Sequence, residues 1–518
     1  MLNLADLLTR AADVHGADTA LVEAATGRRM TWAELDDEVE RVAGGFADAG
    51  LVAGHRVMLA LGNRIEFVSC YLAALRAQLV AVPVNPRAGA EELAQMLADS
   101  GARLLVADPR SVSAAREAVA ATPAPAVRVV TVATTLQPGE HGYDQLALRR
   151  GRPLPPLADP EALAVLLYTS GSSGRPRAAM LTHRALLANI EQITLVDPPM
   201  LAATDVVLGV LPLFHVYGLN AVLGATVRQG ARLVLAESFD PDGTLDLIDD
   251  EAVSVVPVAP PVFKHWLPME DLAVRLGSVR LVLSGSAALS GGVVDTFQAE
   301  VGVPVHQGYG LTEAAPVVTS TLCSKQATPG SLGAPLPGIE VRLVDDGGLP
   351  QHDGDPGEIE IRGANLFSGY WPVGDQAPDA DGWWRTGDVG FIDDDGDLFL
   401  VDRRKDVITV SGFRVYPVEV EIVLAGVPGV REVAVVGVPD AETGEAVVAY
   451  LVADGDADTV RDGVAARAEK LLARFKQPSV VHLVDELPHT MTGQVQKGRL
   501  RAAERRRVLD LIEQEGSA

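Results

Sequence analysis

A segment rich in serine and glycine, Tyr168-Thr-Ser-Gly-Ser-Ser-Gly-Arg-Pro-Arg177, has a composition suited to holding phosphate. Glycines let backbone N–H groups approach an anion, hydroxyls donate further hydrogen bonds, and Arg177 supplies positive charge. The segment is not a Walker motif, which requires G-x-x-x-x-G-K-[ST]. On its own such a turn is more often a flexible loop, so the interpretation depends on the other motifs. The residues predicted to line the phosphate are Thr169, Ser170, Gly171, Ser172, Ser173 and Gly174.

Four further motifs follow at wide spacing: Gln307-Gly-Tyr-Gly-Leu-Thr-Glu313, Glu358-Ile-Glu-Ile-Arg-Gly363, Trp384-Arg-Thr-Gly-Asp388 and Asp402-Arg-Arg-Lys-Asp-Val-Ile408. In this order the motifs resemble those of the adenylate-forming superfamily of acyl-CoA synthetases, adenylation domains and luciferases. The resemblance runs from near residue 168 to residue 493. It implies that a carboxylate attacks the α-phosphate of ATP to give an acyl-adenylate and pyrophosphate, and that a thiol then displaces AMP.

The resemblance also implies roles for single residues of the Gln307–Glu313 motif, and their chemistry suits those roles. Tyr309, between Gly308 and Gly310, offers an aromatic face to adenine. Thr312 places a hydroxyl near the α-phosphate. Glu313 is a hard oxygen ligand for Mg²⁺, which neutralises the pyrophosphate leaving group. Without the other motifs, this segment would be interpreted as a glycine-rich turn with a surface glutamate.

Three residues nearer the C-terminus are matched in the same way. Asp388 would accept hydrogen bonds from both ribose hydroxyls, because a carboxylate is bidentate. Arg403 matches the second ribose contact of the family, and Lys405 falls at the hinge of its small terminal domain. In isolation, they would be interpreted as an ordinary turn aspartate and a charged surface loop.

The acid-binding side is indicated by Leu211-Pro-Leu-Phe-His-Val-Tyr-Gly218, which resembles a motif of fatty and aryl acid ligases. His215 is the candidate residue near the substrate carboxylate, although a lone histidine among apolar residues is more often a satisfied core residue. Gly285, Ser286 and Ala287 match a segment of small residues that lets the nucleotide approach a strand end. Strand-terminal glycines are also common without a ligand.

The chain departs from the family pattern at two positions. Arg177 stands where the family usually has lysine. The positive charge is kept, but it is carried by a planar guanidinium and not by a compact ammonium group. Gln494 occupies the position of the catalytic lysine in Leu487-Pro-His-Thr-Met-Thr-Gly-Gln494. A neutral amide should lose about 2.7–4 kcal/mol of transition-state stabilisation, by analogy with an oxyanion-hole donor. Lys497 could reach in from three residues downstream, adenylation could be slow, or the chain could mainly perform the second half-reaction or have lost catalysis.

Composition and charge exclude several classes of protein. The chain has 518 residues, 48% of them hydrophobic, and its 69 acidic and 43 basic side chains give a formal net charge of -26. This excludes a disordered chain and argues against nucleic acid as a partner, since phosphate backbones are repelled. Only two cysteines, Cys70 and Cys323, are present, so a disulfide framework is not expected and a cytoplasmic location is predicted. The N-terminus is predicted to be an amphipathic helix, not an export signal.

The order of predicted elements indicates an α/β protein with doubly wound parallel sheets. Short β-branched runs at 55–61, 79–84 and 103–107 alternate with helical stretches, and Thr31-Trp-Ala-Glu34 is a capping box. The uncharged run 206–227 is predicted to be buried core and not a membrane span, because it contains proline, histidine and glycines. From 331 to 400 an antiparallel, β-rich texture follows. We predict an N-terminal domain over 1–401 and a mobile α+β cap over 402–518, hinged near 402–406.

The predicted activity is that of an ATP- and Mg²⁺-dependent acyl-CoA synthetase acting on a carboxylic acid with an apolar tail. Coenzyme A is the expected thiol because Val410-Ser-Gly-Phe-Arg-Val-Tyr-Pro417 resembles a loop of CoA-forming members. A carrier-protein arm stays possible on the sequence, and luciferase-type oxidation is a remote alternative. A hypothesis of another class is a nucleotide- or adenylate-binding homologue with little activity, motivated by Gln494. The oligomeric state is not predicted.

Overall fold

The chain divides into two compact units in a computed structural model. The first comprises Met1–Glu340 with Arg362–Trp384, and the second comprises Val341–Ile361 with Arg385–Ala518. The structure describes residues 2–122, 127–148, 157–170, 176–287, 289, 291–345, 347–351, 355–403, 406–411, 413–440, 443–490 and 493–515. The predicted division between residues 401 and 402 stays a prediction.

The first unit contains sixteen of the named strands and twelve of the named α-helices within the described ranges. The strands are β1 (Thr19–Glu23), β2 (Arg28–Thr31), β3 (Arg56–Ala60), β4 (Val80–Pro83), β5 (Leu104–Ala107), β6 (Arg128–Thr131), β7 (His141–Gly142), β8 (Leu163–Ser170), β9 (Pro176–Thr182), β10 (Val206–Gly209), β11 (Arg232–Leu235), β12 (Val255–Val258), β13 (Leu281–Ser284), β14 (Val305–Gly310), β15 (Val317–Ser320) and β16 (Ala334–Pro335). The helices are α1 (Asp6–His15), α2 (Trp32–Asp48), α3 (Ile65–Arg76), α4 (Ala90–Ser100), α5 (Val112–Ala121), α6 (Tyr143–Leu146), α7 (His183–Thr194), α8 (Ala225–Gln229), α9 (Pro241–Glu251), α10 (Pro261–Trp266), α11 (Leu272–Arg275) and α12 (Gly291–Val301). A π-helix covers Tyr217–Gly224 and a 3₁₀ turn covers Thr312–Ala314.

Two large sheets organise this unit, and their β-branched and leucine-rich strands are mostly buried, as expected for parallel strands covered on both faces. One sheet has the order β7-β6-β5-β3-β4-β8-β9, and the other has the order β16-β15-β14-β13-β12-β10-β11-β1-β2. Their central strands are parallel, as in β3–β4, β10–β11 and β13–β14. The fold-class prediction is therefore confirmed. Ligands of such sheets bind beyond the carboxyl ends of the strands. In this chain, most of the motifs follow such strand ends.

The local sequence signals explain where several elements begin and end. The Thr31 side chain accepts a hydrogen bond from the Glu34 N–H at 3.2 Å, while Glu34 accepts one from the Thr31 N–H at 2.8 Å, which confirms the capping box that opens α2. The uncharged run 206–227 forms β10, the π-helix and part of α8, and most of its residues are buried, as predicted. Within the described ranges, every helix is too short or too polar to cross a bilayer.

One element of this unit is absent from the sequence prediction. Strand β9 lies between the serine-glycine segment and helix α7, and it pairs antiparallel with β8. Its Ala178 and Ala179 have weak strand propensity, so the pairing with β8, not local preference, specifies this strand. Strand β9 brings Arg177 opposite Thr169.

The second unit is antiparallel and mixed α+β, in agreement with the texture predicted from residue 331 onward. Its elements are β17 (Ile339–Val344), β18 (Gly357–Gly363), β19 (Trp383–Ile392), β20 (Leu398–Arg403), β21 (Ile408–Val410), β22 (Phe413–Val415), α13 (Pro417–Ala425), β23 (Val430–Asp440), β24 (Gly444–Ala453), α14 (Ala457–Leu471), a 3₁₀ turn (Arg474–Lys476), β25 (Val480–Leu483) and α15 (Lys497–Glu515). Strands β17 to β20 form a sheet in chain order, and β21 to β25 form another in which only β25 is parallel to its neighbour. A valine- and leucine-rich core lies between this second sheet, α13 and α14.

Candidate active site

The strand β8 and its partner β9 position the phosphate-binding candidates of the first unit. The Thr169 hydroxyl donates to the backbone oxygen of Arg177 at 3.3 Å, so the two ends of the hairpin are held together. Gly171, Ser172, Ser173 and Gly174 lie outside the described residues, and only the backbone of Ser170 is described. The role predicted for this turn therefore stays a prediction.

Arg177 is the cation of this hairpin, and its guanidinium contacts the loop that follows residue 366. It donates to Asp375 at 2.8 Å and to Gln376 at 3.0 Å. Its central carbon lies 3.8 Å from the centroid of the Tyr370 ring, which is a cation–π contact. Backbone bonds tie the same loop to β9, since Met180 donates to Gly369 and Trp371 donates to Ala178. Two hydrogen bonds and one aromatic ring thus hold the Arg177 guanidinium against this loop.

Glu313 lies in the 3₁₀ turn that follows β14, and it is buried, with 8% of its surface exposed. The Tyr370 hydroxyl donates to its carboxylate at 2.5 Å, and the Phe367 N–H donates to its backbone oxygen at 2.9 Å. Burial raises the pKa of the Tyr370 phenol, and the negative charge of Glu313 raises it further. The phenol therefore stays protonated at neutral pH and acts as the donor.

Three buried asparagines hold the backbone that follows Glu313. Their side-chain nitrogens donate to the backbone oxygens of Val317, Ala315 and Ala314 at 2.8, 2.7 and 2.7 Å; they are, in that order, Asn189, Asn220 and Asn365. Asn189 also accepts from the Val317 N–H at 3.1 Å. Since a buried amide needs partners, these contacts lock the turn that carries the carboxylate. Sequence reasoning missed them, although polar amides within apolar helical stretches, such as Asn220, are a usable signal.

The glycines around Tyr309 are required by the close approach of two strands. A Cβ at Gly308 would lie 2.6 Å from the Thr319 oxygen, and one at Gly310 would lie 2.4 Å from the Pro316 oxygen. Tyr309 itself is mostly buried and its N–H donates to the Thr319 hydroxyl at 3.2 Å. The two glycines of the Gly-Tyr-Gly motif therefore let β14 pack closely against β15, directly before Thr312 and Glu313.

On the acid side, the structure brings the two predicted segments together. A Cβ at Gly285 would lie 2.7 Å from the ring of Tyr217, so the glycine makes room for that ring. The Tyr217 N–H donates to Nδ1 of His215 at 3.4 Å. Burial lowers the pKa of His215 to about 4, so the imidazole is neutral at pH 7 and carries its proton on Nε2. Ser286 and Ala287 follow Gly285, and Ser286 has a φ of 73°, in the left-handed region.

A buried amide fixes this acid-side segment. Asn63, which follows β3, donates to the backbone oxygens of Gly209 and Leu211 at 2.9 and 2.8 Å. Its own oxygen accepts from the Leu213 N–H at 2.9 Å. The three bonds determine the path of the chain just before His215, and the sequence does not reveal them.

The remaining candidates belong to the second unit. Asp388 lies on β19 in register with Arg403 of β20, and its N–H donates to the Thr386 hydroxyl at 3.1 Å. The side chain of Arg403 and all of Lys405 fall outside the described part of the chain. The backbone oxygen of Gln494 accepts a hydrogen bond from the Thr490 N–H at 2.8 Å.

Lys497, the possible substitute for the missing lysine, has a defined partner in the second unit. Its Nζ lies 2.9 Å from the Glu421 carboxylate, and the two side chains are only 15% and 19% exposed. Glu421 also accepts a bond from the Val435 N–H at 2.7 Å. The ammonium thus joins the start of α15 to α13 and β23.

The donor set around Glu313 fits Mg²⁺ in its usual protein mode. Among the residues that the structure describes, no three His, Cys, Asp or Glu side chains cluster as a metal cage. Mg²⁺ is commonly held by one or two carboxylates together with substrate phosphates, and one buried, oriented carboxylate meets that requirement.

Comparison with known proteins agrees with this geometry. The family model described as AMP-binding enzyme matches residues 8–371, and the model of its C-terminal domain matches residues 419–494. A 4-coumarate–CoA ligase 5 of Oryza sativa subsp. japonica is 34% identical, covering 93% of this chain and 91% of the relative.

Solved structures resemble the chain over almost its full length. ATP-bound MatB from Rhodopseudomonas palustris has a TM-score of 0.85 at 31% identity, covering 97% of this chain and 99% of that one. The anthranilate CoA ligase AuaEII in complex with anthranoyl-AMP has a TM-score of 0.86 at 26% identity, covering 97% of each chain. The chain therefore belongs to the adenylate-forming superfamily of AMP-binding enzymes, and its class is that of an AMP-forming acid–thiol ligase.

Proposed function

We propose that this enzyme activates a carboxylic acid with an apolar tail by forming an acyl-adenylate from ATP, and then transfers the acyl group to coenzyme A. The observation that carries the proposal is the buried Glu313 carboxylate, which accepts a hydrogen bond from the Tyr370 hydroxyl beside the β8–β9 hairpin. A carboxylate directed by a second residue is what a metal-bound triphosphate requires. The relatives named as CoA ligases support CoA as the thiol.

Several residues have proposed tasks in this reaction. Bound Mg²⁺, held by Glu313 and phosphate oxygens, would supply charge neutralisation for the leaving pyrophosphate. The Thr312 hydroxyl and the turn around 169–174 would orient the phosphates, and Arg177 would add positive charge next to them. Tyr309 would cover adenine. Asp388 and Arg403 of the second unit would hold the ribose, and the segment 402–406, with Lys405, would act as a hinge for a cap over 402–518.

The acid would lie near His215 and Tyr217. The imidazole is neutral at pH 7, so it would orient the substrate by a hydrogen bond from Nε2 and not by charge. The segment around these two residues is apolar, with Leu213 and Leu219 fully buried on either side of them. Relatives named for 4-coumarate and anthranilate support an aromatic ring as one form of that apolar body.

Gln494 makes adenylation the weak step in this proposal. Lys497 is ion-paired with Glu421, which argues against its serving as the missing cation. A lysine at position 494 would restore charge where two anions are brought together. Restoring such a contact is worth about 2.7–4 kcal/mol, or roughly 100- to 1,000-fold in rate.

Measurement of ATP–pyrophosphate exchange and AMP release with a panel of aliphatic and aromatic acids tests the proposal. We expect slow exchange by the wild type with apolar acids, and about 100-fold faster exchange by Gln494→Lys. Gln95→Lys, which adds the same charge at an exposed position of helix α4, is the matched control and should not change the rate.

Two results would contradict the proposal. If neither protein shows exchange with any acid and both still bind ATP, the alternative of a nucleotide-binding homologue is favoured. If synthetic acyl-AMP and CoA give no thioester, the second half-reaction is wrong, and a carrier-protein arm becomes the thiol to test.

A further inference from the structure

Tyr370 is a residue that no sequence motif assigns to the site. It lies in the loop 366–376, which runs beside β9. The backbone of Tyr370 forms isolated β-bridges with Ala179 and with Asp375. Its side chain reaches two of the predicted site residues: its hydroxyl donates to Glu313, and its ring lies under Arg177. One aromatic side chain thus connects the end of the phosphate hairpin with the carboxylate.

The packing around Tyr370 leaves its ring little freedom. Phe367 packs edge-on against it, with ring centroids 5.1 Å apart, and the Arg177 guanidinium covers one of its faces at 3.8 Å. Arg177 is in turn tied to Asp375 and Gln376 of the same loop. Because the ring is held in this way, its hydroxyl oxygen is kept within hydrogen-bond distance of the Glu313 carboxylate.

We propose that Tyr370 is a positioning residue for the Glu313 carboxylate, and that Arg177 holds the Tyr370 ring in place for this task. The inference rests on the proposed function, because it concerns how Glu313 meets the metal that accompanies ATP. The phenol donates to one carboxylate oxygen and so fixes the direction in which the carboxylate faces. Residues that orient a metal ligand in this way commonly affect metal affinity by about 10- to 100-fold.

The proposal is tested by measuring ATP binding to the full-length chain by isothermal titration calorimetry over a range of MgCl₂ concentrations and in EDTA. For Tyr370→Phe we expect the Mg²⁺ concentration at half-effect to rise by about 10- to 100-fold. ATP and AMP binding in EDTA should stay within about twofold of wild type. A merely structural role would weaken binding equally with and without the metal.

A matched control is available in the same unit. Tyr71 is buried, and its hydroxyl has no hydrogen-bond partner among the described residues, so Tyr71→Phe should leave the Mg²⁺ dependence unchanged. In a Glu313→Gln background, Tyr370→Phe should add no further change in Mg²⁺ dependence, since the two residues would act as one unit.

A second variant keeps the test decisive if Tyr370→Phe does not fold. Arg177→Lys retains the charge but loses the planar contact with the ring, and we expect a smaller rise in the Mg²⁺ midpoint. An unchanged midpoint in the variants that fold would overturn the inference. If instead ATP binding to the wild type is insensitive to Mg²⁺, the metal role in the proposed function fails, which is a separate result.

Discussion

At the scale of single residues, the position of Gly285 is a direct requirement of the ring beside it. The Tyr217 ring would lie 2.7 Å from any added Cβ, and its hydroxyl contacts the backbone oxygen of Leu283 at 3.4 Å. A methyl group can be accommodated there only if the ring moves. Because Tyr217 is two residues from His215, its movement would disturb the proposed acid site.

We therefore expect Gly285→Ala to raise the KM for the acid at saturating ATP. Overpacking of this kind typically costs about 1–3 kcal/mol of folding stability, and the part of that cost that falls on the acid-bound state would raise KM by up to about 150-fold. Steady-state AMP release measures the change. Gly292→Ala, on the neighbouring helix α12 with open space around it, is the control. An unchanged KM in Gly285→Ala would show that Tyr217 does not contribute to acid binding.

The sequence predicts the type of a site residue where a motif specifies it, but it does not predict which residues contact each other in the fold. The Gly-Tyr-Gly motif and Glu313 are recognisable because their chemistry and spacing recur. Tyr370 and Asn63 cannot be recognised in this way. The Tyr370 side chain contacts the Glu313 side chain, and Asn63, which follows a strand of one large sheet, binds only backbone groups near a strand of the other. No local pattern records such long-range contacts.

At the scale of elements, helix α7 illustrates how burial of a titratable group links stability to pH. His183 opens the helix and is 1% exposed, and its Nδ1 accepts from the Leu4 N–H at 3.1 Å, which ties the N-terminus to this helix. Burial lowers the pKa of His183 to about 4, well below the usual value of a histidine. The folded state thus favours the neutral imidazole, and its stabilising effect is lost as the pH falls from the unfolded pKa toward the folded one.

We expect the unfolding free energy to fall by about 2 kcal/mol between pH 7 and pH 5 because of His183. Urea denaturation at the two pH values measures the change. His183→Asn keeps an acceptor for the Leu4 N–H and should lose about 2 kcal/mol less over the same interval. Replacement of the exposed His141 serves as the control, and a pH dependence equal to wild type in His183→Asn would refute the assignment.

Elements were predicted well where local patterns are clear, as in α2, β3, β4 and β5. The strand β9 was missed because its alanines carry no strand signal, and the π-helix was missed because its hydrophobic residues fit an ordinary buried segment equally well. Sheet order was also not predictable. Strand β1 lies beside β11, with Leu21 opposite Leu233, and nothing in either strand encodes that pairing.

At the scale of the whole molecule, the net charge of -26 opposes the approach of ATP and CoA. In the described part of the first unit, Arg177 lies beside the proposed phosphate site. The buried carboxylate of Glu313 adds negative charge to the same site. A divalent cation reverses the local sign, so it should contribute a large part of nucleotide affinity.

We expect ATP binding to be at least about tenfold weaker in EDTA than with saturating Mg²⁺. Isothermal titration calorimetry in buffers of equal ionic strength separates this effect from general screening. Adenosine, which carries no phosphate, should bind equally under both conditions. Equal ATP affinity in the two buffers would contradict the role proposed for Glu313.

The amide of Asn63 has a further consequence for engineering the enzyme. It bonds the chain that leaves one large sheet to the chain that leaves the other, at the position where substrate choice is proposed to be made. Exchanging residues 211–218 for those of a relative would therefore transplant a loop without its anchor. Chimeras that carry the 62–63 turn along with that loop should inherit the donor's acid preference more faithfully than chimeras that carry the loop alone.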